Sequence, residues 1–155
     1  MITTIVNYLV TTINTDLGLV AYPSDGLATV QAGELYPFPT LPCLFIVPSR
    51  IFQVYDELGI NATNSSTQPE RQYTVNLAGT VIGPSYTTAL SRAEVQAKRL
   101  DYWCKDNDGL DGLTNGTERV FASPAKPIEL QVKGSGTLWY GYFMMPLIVS
   151  TEGLT

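Results

Sequence analysis

The chain has 155 residues, 45% of them hydrophobic and only 15% charged, with a formal net charge of −5. That composition excludes an intrinsically disordered chain and disfavours a general nucleic-acid binder with a basic face. Histidine is absent, which removes the commonest general base, the commonest metal ligand and every Ser-His or Cys-His nucleophile.

Ile2, Ile5, Val6, Leu9, Val10, Ile13 and Leu17 recur at spacings of three and four, which predicts an opening amphipathic helix stopped at Gly18. Gly18–Tyr22 has the composition of a short strand. Residues 23–42 carry Pro23, Pro37, Pro39 and Pro42, so this long connection cannot be central strand throughout. Leu41–Val47 reads as a buried strand, and Arg50–Asp56 as its continuation past a bend or bulge at Pro48. Residues 57–70 form a polar loop. In Gln72–Ile82, Tyr73, Val75, Leu77 and Val81 alternate with Gln72, Thr74, Asn76 and Thr80, the pattern of a strand with one wet face. Gly83-Pro84 ends it.

Thr87–Lys105 is predicted as a second helix with Leu90, Ala93, Ala97, Leu100 and Cys104 on its apolar side. Thr88 or Ser91 is placed to cap it, Ser91 having Glu94 at the capping-box spacing. The small Ala93 and Ala97 allow a close approach to a sheet. A loop rich in Gly, Asp and Asn follows, then a short strand at Glu118–Ala122. The alternation of Ile128, Leu130 and Val132 with Glu129, Gln131 and Lys133 gives another strand. After a turn at Gly134–Gly136, Thr137–Val149 closes the chain.

The predicted fold class is α+β: a mostly antiparallel sheet with two helices packed on one face, in the order α-β-β-β-α-β-β. Residues 1–155 read as a single domain with extended loops near 23–40, 57–70 and 105–117. Cys43 and Cys104 are expected as buried thiols, not as a disulfide framework. The first basic residue is Arg50, so no signal or transit peptide is expected. No stretch approaches the roughly 20 apolar residues of a membrane span.

Few residues suggest chemistry. The frame Asn107–Glu118 puts Asp111, Gly112 and Glu118 at calcium-loop positions five, six and twelve. Gly109 at position three has no ligand atom, and a polar turn explains the same residues. Acid pairs such as Asp56-Glu57 or Asp106 with Asp108 are plainer as helix or loop ends than as a hydrolase pair. No catalytic residue, cofactor or metal is expected. An enzyme would have to be a carboxylate-based hydrolase.

The run Trp139, Tyr140, Tyr142, Phe143 is the most informative segment. Leu138, Tyr140, Tyr142 and Met144 fall on one face of a strand, and Trp139, Phe143, Met145 and Leu147 on the other. A strand apolar on both sides is buried on both sides. With helices on one face only, the second cover is expected to be another copy of the chain. Trp139, Tyr140, Tyr142, Phe143 and Met145 are therefore the candidate subunit interface. A sugar-binding platform on the same aromatics is the alternative.

An amphipathic first helix, a loop-interrupted hairpin, a strand ending Gly83-Pro84, the helix ALSRAEVQAKRLDYWC and a final hairpin ending LWYGYFMMPLIVS occur in this order. In that order the chain resembles the tail terminator proteins of long-tailed bacteriophages, the lambda-like tail completion family. The resemblance spans nearly the whole chain as element order, without a signature motif. It implies a structural virion protein of the tail or neck, assembled in the host bacterial cytoplasm. Its expected partners are itself, as a homo-hexamer ring, the tail tube protein and a neck or connector protein. The ring would end tube polymerisation and let DNA pass. The acidic loop residues Asp106, Asp108 and Asp111 are candidates for the lumen, where carboxylates repel phosphate. Residues 61–68 are a candidate arm toward the tube or a neighbour, with a mobile hairpin tip as the alternative. Another head–tail connector, either a head-closure or a joining protein, is the closest rival reading. A carbohydrate-binding tail module is the second.

Overall fold

The computed structural model describes residues 2–17, 27–54, 70–106, 118–124 and 129–153. Its elements are α1 (Ile2–Leu17), β1 (Thr29–Ala32), β2 (Cys43–Val54), β3 (Glu70–Gly83), α2 (Tyr86–Asp106), β4 (Glu118–Pro124), β5 (Glu129–Ser135) and β6 (Leu138–Gly153). The α+β class holds. The segment 118–122 joins the sheet as β4, so three strands follow α2, one more than in the predicted order. The predicted strand at 18–22, the arm at 61–68 and nearly all of the calcium-loop frame lie outside the described residues.

One six-stranded sheet runs β1-β2-β3-β6-β4, with β5 also paired to β6. The 16-residue β6 divides its outer edge. Leu138–Met144 pair with β5 and Leu147–Gly153 with β4. Every pairing is antiparallel except β1 with β2. The strand β1 lies inside the stretch read from sequence as a connection, and it takes an edge position. Pro48 acts as expected in β2. The register with β3 shifts between Pro48 and Arg50, which leaves Ser49 as the extra residue of a bulge.

Both helices pack on one face, α1 against β1 and β2, and α2 mainly against β3, β5 and β6. Ile5, Leu9 and Ile13 of α1 are fully buried, as are Leu44, Ile46, Val75, Leu77, Met145 and Leu147 of the sheet. Burying such a side chain contributes about 1.5–3 kcal/mol, so this layer dominates folding. The contact of α2 is close because small residues meet. A Cβ on Gly141 would lie 2.6 Å from the Ala89 carbonyl oxygen and 3.0 Å from the Ala93 methyl, and one on Gly83 would lie 2.8 Å from the Ala89 nitrogen.

Two local predictions about α2 change. Its N-cap is Ser85, whose Oγ accepts from the Thr88 N–H at 3.2 Å, and not Thr88 or Ser91. The Gly83-Pro84 stop makes the difference: helical geometry begins at once behind it, and the serine at the boundary is the one in reach of the free amides. The apolar face also includes Trp103, which is buried and donates through Nε1–H to Asp16 Oδ2 at 2.6 Å. That bond ties the C-terminal ends of the two helices together.

Candidate functional site

The sheet face away from the helices is the candidate site. Strand period two sets its membership. Cross-strand partners share a face, so Phe45, Ala78 and Met144 stand in one row, and Cys43, Thr80 and Tyr142 in the next. Glu129 of β5 extends the first row beside Met144 and Gln131 the second beside Tyr142, while Lys133 stands in the next row beside Tyr140.

The segment 33–42 crosses part of this face as a strap, tied at both ends by main-chain bonds. Gly33 N–H donates to the Ile46 carbonyl at 2.9 Å, while Ala28 and Thr29 N–H both donate to the Pro42 carbonyl. Gly33 has φ +78°, a left-handed turn that glycine enters without steric cost. Between the ties, Phe38 lies with its ring centroid 6.2 Å from each of Phe45, Tyr140 and Tyr142. Tyr36 meets Phe38 edge-on at 4.9 Å. Under the strap Phe45 is buried while Tyr140 and Tyr142 remain half-buried, and the strap's own Leu35 and Tyr36 stand 52% and 62% exposed.

Beside the strap a cleft of about 680 Å³ opens toward β5, lined among others by Glu34, Tyr36, Phe45, Thr80, Lys133 and Tyr142. Burial raises the Tyr142 phenol above its ordinary pKa, with Tyr140 and Tyr36 adding to the effect. Tyr36 is raised as well, through desolvation and then the Glu34 charge. Both phenols stay protonated at neutral pH and offer hydrogen bonds, not charge. Burial pushes the Cys43 thiol up, against the opposing hydrogen bonds of Thr80. A protonated, buried thiol is a poor nucleophile. Among the described residues no three Cys, Asp or Glu side chains converge as a metal site, and no helix is long and apolar enough to cross a membrane. The arrangement is an aromatic wall with a polar rim, suited to contact.

The interface candidates divide between the two faces. Tyr140 and Tyr142 are half-buried on the outer face, under Phe38. Phe143 and Met145 lie on the helix face, 3% and 0% exposed, inside the chain's own core. Their assignment to a subunit contact is therefore corrected: the odd positions of β6 already meet the helix layer, which leaves no surface for a second chain. Trp139 is half-buried and packs edge-on against Tyr86 at 5.7 Å, so it does not join Tyr140 and Tyr142 in a flat platform. Asp106 is the last residue of α2, and Asp108 and Asp111 lie outside the described residues.

Sequence reasoning missed Glu34, Tyr36, Phe38 and Phe45. The signal was there in Tyr36-Pro37-Phe38-Pro39, where two aromatics alternate with prolines, and in CLFI, where apolar residues point both ways. No protein-family model matches the chain, and no curated protein matches it at a level that would establish kinship.

Proposed function

We propose that this chain is a structural virion protein of a phage tail or neck, forming a ring that caps the tail tube, ends its polymerisation and joins it to the head connector while DNA passes. The observation that carries the reading is the outer sheet face, an aromatic surface only partly covered by the chain's own strap. A low share of charged residues and the absence of histidine point the same way, toward a contact protein without acid–base chemistry. Neighbouring copies would meet through Tyr36, Tyr140 and Tyr142. The tube protein and the neck protein would meet the two rims, and Asp106, Asp108 and Asp111 would face the DNA. No cofactor enters this reading.

The test is to locate the polypeptide in assembled particles by cryo-electron microscopy. Six copies in one layer between tube and head are expected. A single copy, a tail-tip position or absence from the particle refutes the proposal. A layer of the same copy number above the tube's last ring, in contact only with the head, would favour a head-closure protein instead.

A further inference from the structure

The strand β5 has an edge suited to its own image. It pairs with β6 on one side, and among the described residues no strand pairs with the other. All of Glu129–Ser135 is exposed except the half-buried Val132, and Leu130 is 41% exposed. An uncovered strand edge is a template for another strand. Edges that are protected by charge alone repel their copies. This one carries a single acid and a single base, Glu129 and Lys133, placed symmetrically about Gln131. Four residues of strand hold the two charges about 13 Å apart, too far to neutralise each other within one chain.

We propose that β5 pairs antiparallel with β5 of a second copy, centred on Gln131. Main-chain groups point out of the sheet only at alternate residues, so a two-fold strand pair must be centred on a residue and not between two. Of the possible centres, Gln131 sets Glu129 opposite Lys133 of the second copy, twice by symmetry, and Leu130 opposite Val132, also twice. A shift of the centre to Val132 sets Leu130 against Gly134 and Lys133 against Gln131. A shift to Leu130 sets Glu129 against Gln131 and leaves Lys133 with no acid opposite it. Only the Gln131 register satisfies charge and apolar contact together. It joins two sheets into one continuous sheet and covers Leu130, which stands on the helix side of the strand. The contact is isologous and closes at two copies, whereas a cyclic ring uses two different surfaces on each copy. The proposal thus concerns the free chain and stands or falls apart from the ring.

Sedimentation equilibrium of the full chain tests it. The wild type is expected to approach twice its 16.9 kDa chain mass as concentration rises. Lys133→Glu sets like charges face to face at both ends of the pair and should weaken association by roughly tenfold or more. The exchange Glu129→Lys with Lys133→Glu restores opposite charges and should restore the wild-type association. Far-UV circular dichroism shows that the variants are folded. A wild type that stays monomeric overturns the proposal. So does any self-association that Lys133→Glu leaves unchanged, or one that the double exchange fails to recover.

Discussion

Gly79→Ala is the most incisive test of how the sheet meets the helix layer. Gly79 faces Phe143 across β3 and β6, and the Phe143 ring lies over it so closely that an added Cβ would fall within the ring. The ring is 3% exposed and belongs to the core. It has two ways to yield. It can turn into its neighbours, at about 1–3 kcal/mol for overpacking. It can also leave the core, at about 1.5–3 kcal/mol of lost burial. Against this, replacing glycine stiffens the unfolded chain and returns about 0.4–1 kcal/mol. The net expectation is a loss of about 1–2.5 kcal/mol, which lowers Tm by roughly 2–10 °C for a chain of this size. Urea unfolding of Gly79→Ala, Phe143→Leu and the double variant measures the coupling. Once the ring is gone, Gly79→Ala should cost almost nothing, so the double variant should be little worse than Phe143→Leu alone. Gly141→Ala is the control. Its added Cβ meets the Ala89 carbonyl at 2.6 Å, a backbone clash that Phe143→Leu cannot relieve. If the Gly79 and Phe143 costs simply add, the close approach does not govern stability and the reasoning fails.

Three further outcomes are expected. Trp103→Phe removes the donor to Asp16 and should cost about 1–3 kcal/mol in urea unfolding, with Asp16→Asn costing less because its amide oxygen still accepts. Burial, and then the Asp101 charge, push the Cys104 thiol up from 9.0 to about 12. Because the folded pKa is the higher one, stability is unaffected by this thiol below about pH 9. It then falls toward pH 12 by at most about 1.4 kcal/mol per pH unit, and urea unfolding should show that Cys104→Ala lacks this part of the fall. Phe38→Ala should uncover Tyr142, bringing its spectrophotometric titration back toward 10.0, and should cost about 0.5–1.5 kcal/mol beyond lost area.

Periodicity alone predicted both helices and the long strands, because each buries one regular stripe against a layer that is continuous in space. It also divided β6 correctly into two faces. It could not say which face the helices cover, since both are apolar. The answer is written in the glycines, where Gly79 and Gly83 of β3 and Gly141 of β6 mark the close-packed side and leave room for Phe143, Ala89 and Ala93. The strand β1 was illegible for a different reason. Its four residues, Thr29–Ala32, have no pattern of their own and owe their state to parallel pairing with β2. The Ser85 cap was displaced by a few residues because boundary positions depend on where the chain leaves the preceding strand. The strap reads in sequence as mere connection because prolines exclude it from the sheet, though not from lying upon it.

The contrast between the two faces bears directly on the proposed ring. On the helix side, side chains from five elements close with almost no exposure, and within that cluster nothing is left for a partner. On the outer side the cover is a ten-residue segment fixed at its ends by main-chain bonds, with Phe38 as the contact to the strand aromatics at its middle. Main-chain ties hold the strap in register whatever happens between them. The middle, where Leu35 and Tyr36 stand out, can repack against a neighbour at the cost of a few ring contacts, each worth about 0.5–1.5 kcal/mol. Subunit contact therefore needs no unfolding of the core. A neighbour that covers Tyr36 and Tyr142 would complete a layer the chain builds only in part, and this is the physical reason the proposed ring would put its subunit contact on this face of the sheet.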